Sequence, residues 1–451
     1  MYQPNPVILR EYDIRGTYGN NLFNADATWL GECFGSLLCG NGGETVVVCR
    51  DGRDSSPALH AALCKALIDC GLEVLDIGIG PTPMSYFAGF ELNADATLMI
   101  TGSHNPKDDN GIKIMMGNKP FFGEQIQKLI HQAVTKKPGG TRTSCKDIFT
   151  KYVQRILQCH EFKKPLRIVW DAGNGAAGPI VEAFCEALPE HFHIALFTDI
   201  DSSFPNHHPD PSVPKNLSHL IAAVKEHKCD IGFAFDGDAD RIGVVDASGR
   251  IVAGDELVAI ISQAVLQEAK GGTVIADVKC SNHTFNAIAQ AGGKPVMERT
   301  GHSWIKQAMV QHNAVFAGEM SGHMFFKHQY YGFDDGLYAA IFLLNYIQKL
   351  DGSFSDLVLK LPKAYSTPEI RLNCDEDEKV QIICDLKKKL TQAGKVFKDI
   401  DGVRVEEAYG WWLVRASNTQ SALIVRAEGS TEKDLQRILG ELHAFGVSIA
   451  G

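Results

Sequence analysis

The sequence has no C-x-x-C pair, no G-x-S-x-G elbow, and no apolar run near the ~18–20 residues that a membrane-spanning helix needs. Its twelve cysteines are scattered from Cys33 to Cys384. Most sit among apolar neighbours (Cys49, Cys64, Cys185, Cys229), where a thiol acts as a small hydrophobe. That pattern argues against a secreted disulfide scaffold and for a reducing, cytoplasmic setting. The chain begins MYQPNPVILREYDIRG, with Arg10 and Glu11 interrupting its one apolar run, and this does not read as a signal peptide. Basic residues are also short. Lys plus Arg total 44 against 54 Asp plus Glu, for a net charge of −10, which argues against a chain-wide basic face for nucleic acid. The missing elbow weakens an esterase reading. What remains is a chain of 451 residues, 45% hydrophobic and 22% charged, an ordinary globular composition. At about 100–200 residues per domain, two to four domains are expected.

A recurring pattern organises most of the chain. An apolar strand ends in Asp and a polar loop, and a helix and a second strand follow. The first copy reads TVVVCRDGRDSS, PALHAALCKALIDCG, LEVLDIG; the second reads RIVWDAGNGAAG, PIVEAFCEALPE, HIALFTD; the third reads TVIADVKCSN, HTFNAIAQAGG, KPVMERTG. Short continuous apolar strands alternating with helices predict βαβ units on mixed or parallel sheets. The GNGAAG turn is by itself weak evidence for a dinucleotide site, since such loops often only turn the chain. Each copy then adds one more apolar strand that runs into a polar loop: ATLMI-TGSHNP, CDIGFAF-DGDADR and AVFAG-EMSGH. Ligands of open α/β sheets bind beyond the carboxyl ends of the strands, so three such loops are expected to converge on one site.

Boundaries follow from that register. A Lys/Pro/Gly/Thr stretch from Thr135 to Thr143 reads as a linker, and ASGRIVAGDE as a turn into the third unit. After Lys363 to Glu369 the composition changes: NCDEDEKVQIICDLKKKL reads as a solvated helix, and VRVEEAYGWWLVRAS and SALIVRAEGS read as strands. The expectation is four domains, 1–148, 149–250, 251–364 and 365–451, three related and α/β, the last a small α+β domain.

In DGDADR the alternating Asp236, Asp238 and Asp240 can face one point, and hard oxygen ligands in that number suit Mg²⁺. Three carboxylates this close repel unless something cationic sits between them. An EF-hand is excluded by Arg241 at the sixth position and Ala247 at the twelfth. A haloacid-dehalogenase-type phosphatase also places Asp-x-Asp after a strand, but near the chain start and before Gly-Thr. In TGSHNP, Ser103 lies at a loop tip among Gly102, His104, Asn105 and Pro106, types that favour a tight turn. Taken alone it reads as an ordinary loop serine rather than a nucleophile. Lys113 adds a cation ten residues on. GEMSGH supplies Glu319, Ser321 and His323, which can hydrogen-bond sugar hydroxyls; His323 can also move a proton or be structural. RASNTQ sets Arg415 beside Ser417, Asn418 and Thr419, a donor-rich turn for a phosphate or a plain polar turn.

Taken together, YDIRG (Tyr12 to Gly16), TGSHNP, DGDADR, GEMSGH and RASNTQ resemble, in order and spacing, the α-D-phosphohexomutases, with bacterial phosphomannomutase/phosphoglucomutase nearest. The match spans essentially the whole chain. The resemblance implies three related α/β domains and a TBP-like fourth around a central cleft. It implies that Ser103 is a phosphoserine whose phosphate shares Mg²⁺ with Asp236, Asp238 and Asp240, and that Arg241 organises the metal loop. Arg15, Lys113 and His323 match residues with acid–base and electrostatic roles. Tyr12 and His104 fall in substrate-facing motifs, and Lys279, Gly301 and His302 match residues that orient the sugar. Glu319 and Ser321 would contact its hydroxyls, and Arg415, Ser417, Asn418 and Thr419 would anchor the phosphate that is not reacting. Phosphoglucosamine mutases carry GEQSGH and a Ser-Gly-Thr phosphate loop. Met320 and Ser-Asn-Thr here favour mannose and glucose phosphates instead. The expected activity interconverts 6- and 1-phosphates through a hexose 1,6-bisphosphate intermediate, in a cytoplasmic monomer or dimer without nucleic-acid or membrane partners.

Overall fold

The computed structural model describes residues 2–417 and 421–447, apart from the side chains of residues 376 and 377. It divides into two compact units, Met1–Leu257 with Ser321–Lys360, and Val258–Met320 with Leu361–Gly451. No helix among the described residues is long and apolar enough to cross a membrane.

The first unit contains two mixed sheets. In one, the strands run in the order Ile14–Thr17, Asp109–Met116, Ala96–Ile100, Thr45–Arg50, Glu73–Ile79 and Thr141–Ser144. Pairing is antiparallel on both sides of Asp109–Met116 and parallel beyond it. The Val/Ile-rich central strands are buried along almost their whole length, as a sheet covered on both faces requires. The helices Asn24–Gly40 and Ser56–Asp69 pack Leu30, Phe34, Leu59 and Leu63 on Val46, Val48 and Leu98. Each such fully buried side chain stabilises by roughly 1.5–3 kcal/mol. The second sheet orders Ile251–Val252, Ile242–Asp246, Ile231–Phe235, Arg167–Asp171 and Phe192–Leu196 around Val169, Ala234 and Val245.

The end of the stretch expected to be a linker also forms a strand. Thr141–Ser144 pairs in parallel with Glu73–Asp76 and adds an edge to the first sheet. All four of its residues are exposed. An edge strand held by backbone hydrogen bonds and by an Arg142–Asp76 ion pair carries no apolar alternation to reveal it. The GNGAAG turn, whose spacing is that of G-x-G-x-x-G, serves protein packing: a Cβ at Gly178 would lie 1.8 Å from Thr198 O.

In the second unit, Lys294–Glu298, Thr273–Asp277 and Ala314–Gly318 form a parallel array with the helices Asn282–Gln290 and His302–His312 beside it. The strands Val403–Glu407, Gly410–Ala416 and Ala422–Gly429 make an antiparallel meander, completed by Tyr365–Ser366 and Ile370–Asn373. The helix Glu376–Gln392 is polar outside and packs Ile383, Leu386 and Leu390 on Val403, Trp412 and Val425. Arg404 is fully buried, stacks 3.8 Å from the Trp411 ring centroid, and donates to Cys280 O at 2.9 Å.

Candidate active site

Two strand-end loops of the first unit meet. The Ala96–Ile100 strand runs into Thr101-Gly102-Ser103, and Ile231–Phe235 runs into Asp236–Asp240. Ser103 takes a left-handed backbone (φ +49), unusual for a residue with a side chain. The turn is held by Ser103 N donating to Thr101 Oγ1 (2.8 Å) and Gly102 N to Asp51 Oδ2 (3.0 Å), while Arg53 donates to the loop's carbonyls. Its hydroxyl then donates to Asp236 Oδ2 at 2.7 Å and lies 3.1 Å from His104 Nδ1. The loops touch backbone to backbone at Gly237, where a Cβ would sit 2.4 Å from Ser103 O. Glycine is therefore required between the first two aspartates.

Asp236, Asp238 and Asp240 are fully buried, each offering a carboxylate oxygen within 4.8 Å of the others. Lys113 projects from the neighbouring strand and spans two of them, 2.7 Å from Asp238 Oδ2 and 2.5 Å from Asp240 Oδ2. Thr82 Oγ1 also donates to Asp238 Oδ2, at 2.5 Å. Burial and the two neighbouring carboxylates hold Asp236 well above the ordinary range. Burial acts the same way on Asp238 and Asp240, but Lys113 outweighs it at both, assisted at Asp240 by His323 and Arg241, so both lie low. Lys113 itself is held above its ordinary value by the two carboxylates, against burial, and stays charged. One ammonium thus bridges two of the three carboxylates without neutralising both, and Asp238 Oδ1 is buried with no hydrogen-bond partner. Hard oxygen donors, an uncompensated charge and an orphaned carboxylate oxygen fit a divalent cation of the Mg²⁺ type.

Arg15, His104, Arg241 and His323 lie around the same cluster. Arg15 donates to Asp13 Oδ2 (2.9 Å) and Thr101 O (2.5 Å), and Tyr12 is half-buried two residues before Ile14. His323 Nε2 is 3.1 Å from Asp240 Oδ1 and 3.2 Å from Arg241 Nε, and its Nδ1 is 3.3 Å from Ser321 Oγ. Arg241 N donates to Asp236 Oδ1 at 3.2 Å. Enclosure and the Arg241 guanidinium pull His104 well below the ordinary imidazole range, so it is neutral. A second group, His160, Glu190 and His191, also has metal-like spacing. There His191 Nδ1 accepts from Leu166 N, so Nε2 must carry the ring proton and has no lone pair to offer.

The second unit carries a separate polar group. Glu319 Oε1 accepts from Gly301 N at 2.7 Å, and Gly301 (φ +130) precedes the helix that His302 begins. Lys279 Nζ lies 3.2 Å from Glu369 Oε2 and 3.9 Å from Asp277 Oδ2. Asp401 Oδ2 accepts from both Arg415 Nε (2.7 Å) and Thr300 N (3.2 Å), tying the Arg415 turn to the Gly301 turn. Ser417 O accepts from Lys379 Nζ at 2.7 Å. Asn418 and Thr419 lie outside the described residues.

Sequence reasoning did not single out Asp51, Arg53, Thr82 or Gly237. The recurring strand-end Asp was the available signal for Asp51. Nothing local marks Thr82, which meets Asp238 across 156 residues.

Four family models match in succession: the phosphoglucomutase/phosphomannomutase alpha/beta/alpha domains I (residues 6–139), II (149–249) and III (253–365), and the C-terminal domain (369–444). A phosphomannomutase/phosphoglucomutase of Pseudomonas putida is 43% identical over 433 residues, 96% of this chain and 93% of the other. A phosphoglucomutase of Neisseria meningitidis is 41% identical over 446 residues, 97% of this chain and 96% of its own. Among solved structures, a phosphoglucomutase/phosphomannomutase family protein of Burkholderia thailandensis superposes with a TM-score of 0.91 at 39% identity, covering 98% of this chain and 97% of the other.

Proposed function

The chain belongs to the phosphoglucomutase/phosphomannomutase family, and from that membership we propose that it interconverts hexose 6-phosphates and hexose 1-phosphates, of mannose and glucose, with Ser103 as the phosphate carrier. The observation that carries the assignment is the seat of Ser103 Oγ, 2.7 Å from Asp236 in a buried carboxylate triplet whose other two members share Lys113. A loop serine of no particular role needs no such surroundings.

Phosphoserine 103 gives its phosphoryl to the free O1 or O6 of the sugar phosphate. The Oγ–P bond breaks as a new O–P bond forms; the sugar hydroxyl gives up its proton, Ser103 Oγ takes one up, and the products are a 1,6-bisphosphate and free Ser103. The other phosphoryl then returns to Ser103. Transfer of this kind depends mainly on in-line placement and on neutralising charge at the phosphoryl oxygens. A divalent cation held by Asp236, Asp238 and Asp240 would supply part of that neutralisation. Lys113 and Arg15 add fixed positive charge, and since Lys113 stays protonated its role is electrostatic rather than basic. Asp236 Oδ2 accepts from Oγ at 2.7 Å and His104 Nδ1 lies 3.1 Å from it, so these are the two groups placed to exchange the serine proton. Glu319 accepts hydrogen bonds from sugar hydroxyls, Lys279 orients the sugar, and Arg415 holds the phosphate that is not being transferred. Tyr12, Gly301, His302, Ser321, His323 and Ser417 complete the substrate contacts.

The experiment is Ser103→Ala, assayed with purified enzyme and trace glucose 1,6-bisphosphate. Loss of the nucleophile should lower kcat by more than about 10³-fold. Undiminished turnover would remove Ser103 from the mechanism. Release of inorganic phosphate at the rate of substrate loss would indicate a phosphatase using Asp236 or Asp238 instead.

A further inference from the structure

We propose that Arg53 is the positioning residue that fixes the Ser103 loop for in-line transfer, a role that rests on Ser103 being the phosphate carrier. Arg53 is 2% exposed, and its hydrogen bonds to that loop go to backbone carbonyls. Its Nη2 donates to Ser103 O and Asn105 O, both at 2.7 Å. Its Nη1 donates to Pro106 O at 2.5 Å and to Asp109 O at 2.8 Å. One planar fork therefore gathers four carbonyls of a seven-residue segment. Asp51, two residues earlier, takes the opposite polarity: Oδ2 accepts from Gly102 N at 3.0 Å, and Oδ1 accepts from Arg53 N at 3.0 Å and from Ser56 Oγ at 2.5 Å. The guanidinium packs closely on the loop, since a Cβ on Gly102 would sit 2.3 Å from Arg53 Cζ.

Ser103 needs such a clamp. Its left-handed backbone is disfavoured for a residue with a side chain and persists only where the surroundings over-determine it. Arg53 reaches no reacting atom, and what it sets is the direction in which Oγ leaves the loop. The internal repeat separates the general part of this device from the special part. In the third copy Asp277 Oδ1 accepts from Met320 N at 3.2 Å, as Asp51 does from Gly102, so a strand-end Asp pinning the following functional loop recurs. The residue two places on does not follow suit, because Lys279 sends its ammonium to Glu369 rather than to loop carbonyls. Only the copy that carries the serine has the guanidinium fork. Lysine in that place would keep the charge and lose the plane of donors that spans four acceptors.

The test compares Arg53→Lys and Arg53→Ala with the wild type for kcat, KM, uptake of ³²P from labelled glucose 1,6-bisphosphate, and response to added guanidinium chloride at millimolar concentration. In R53K the expectation is a folded enzyme by circular dichroism, label still on Ser103, KM within about twofold, and kcat down by about 100-fold, the effect of a misplacement near 1 Å. In R53A, guanidinium and not ammonium should restore kcat by about tenfold or more, because only the planar cation refits the vacated fork. Wild-type kcat in R53K, a loss confined to KM, or a folded R53A indifferent to guanidinium would overturn the proposal. Failure of both variants to fold would also overturn it, making Arg53 a folding residue. Absence of label on Ser103 of the wild type would overturn the carrier assignment and this proposal with it.

Discussion

Replacing Lys113 with Met keeps the length of the stem and removes the ammonium that spans Asp238 and Asp240. At 2.7 Å and an effective dielectric near 20, one such pair is worth about 6 kcal/mol of Coulomb energy before desolvation. Burying an ammonium and two carboxylates offsets much of that, so the net worth of the cluster is far smaller than the sum of its pairs. The loss on removing one partner is set by the charge left behind, typically about 3–5 kcal/mol. It also has a ceiling, since a stranded carboxylate can take up a proton rather than stay charged. For a cooperative unit of this size, about 2–4 °C per kcal/mol translates the loss into roughly 6–20 °C in the unfolding temperature of the first unit in EDTA. Mg²⁺ should narrow that gap. Without the ammonium competing for Asp238 and Asp240 the cation binds more tightly, and at 100 times its Kd it returns about 2.7 kcal/mol. Thermal unfolding of both proteins in EDTA and in Mg²⁺ checks this. Unfolding temperatures within a degree of each other in EDTA, or a gap that Mg²⁺ leaves unchanged, would refute the reasoning.

Two further outcomes follow from the same packing. Gly237→Ala should force the metal loop off Ser103 O, destabilising by about 1–3 kcal/mol and lowering kcat by about 100-fold in the coupled mutase assay. Asp335 caps the helix Gly336–Gln348 and accepts from Tyr152 and Tyr330, and burial outweighs those hydrogen bonds to raise it from 3.8 to about 7. A raised acid contributes stability that is present below its unfolded pKa and lost as pH rises through its folded one. Asp335→Asn keeps the cap, so denaturant unfolding should show it gaining on the wild type between pH 5 and pH 8, by about 2–4 kcal/mol.

The parts of the fold that could be read ahead of the structure are those whose signal is local. The first apolar run of each copy, ending in Asp, became a largely buried strand, because a sheet covered on both faces leaves continuous Val/Ile/Leu tracts. Thr141–Ser144 was not legible, since an exposed edge strand is specified by its neighbour's backbone rather than by its own side chains. The loop residues Ser103, Asp236, Asp238 and Asp240 stood out by type and spacing. Their supports did not. Arg53 meets Ser103 O across 50 residues, Thr82 meets Asp238 across 156, and Tyr152 meets Asp335 across 183. A hydroxyl or guanidinium that acts on a distant loop leaves no local periodicity. Gly237 was in view within its motif, but its reason is the Ser103 carbonyl pressed against it.

The most direct test of the account is the fate of labelled phosphate on the wild-type enzyme. Incubation with [³²P]glucose 1,6-bisphosphate followed by peptide mapping should place one phosphoryl group on Ser103. Unlabelled mannose 6-phosphate or glucose 6-phosphate should then discharge it into sugar bisphosphate, with little inorganic phosphate formed. Label on Asp236 or Asp238, or release of the label as inorganic phosphate in step with substrate loss, would contradict it.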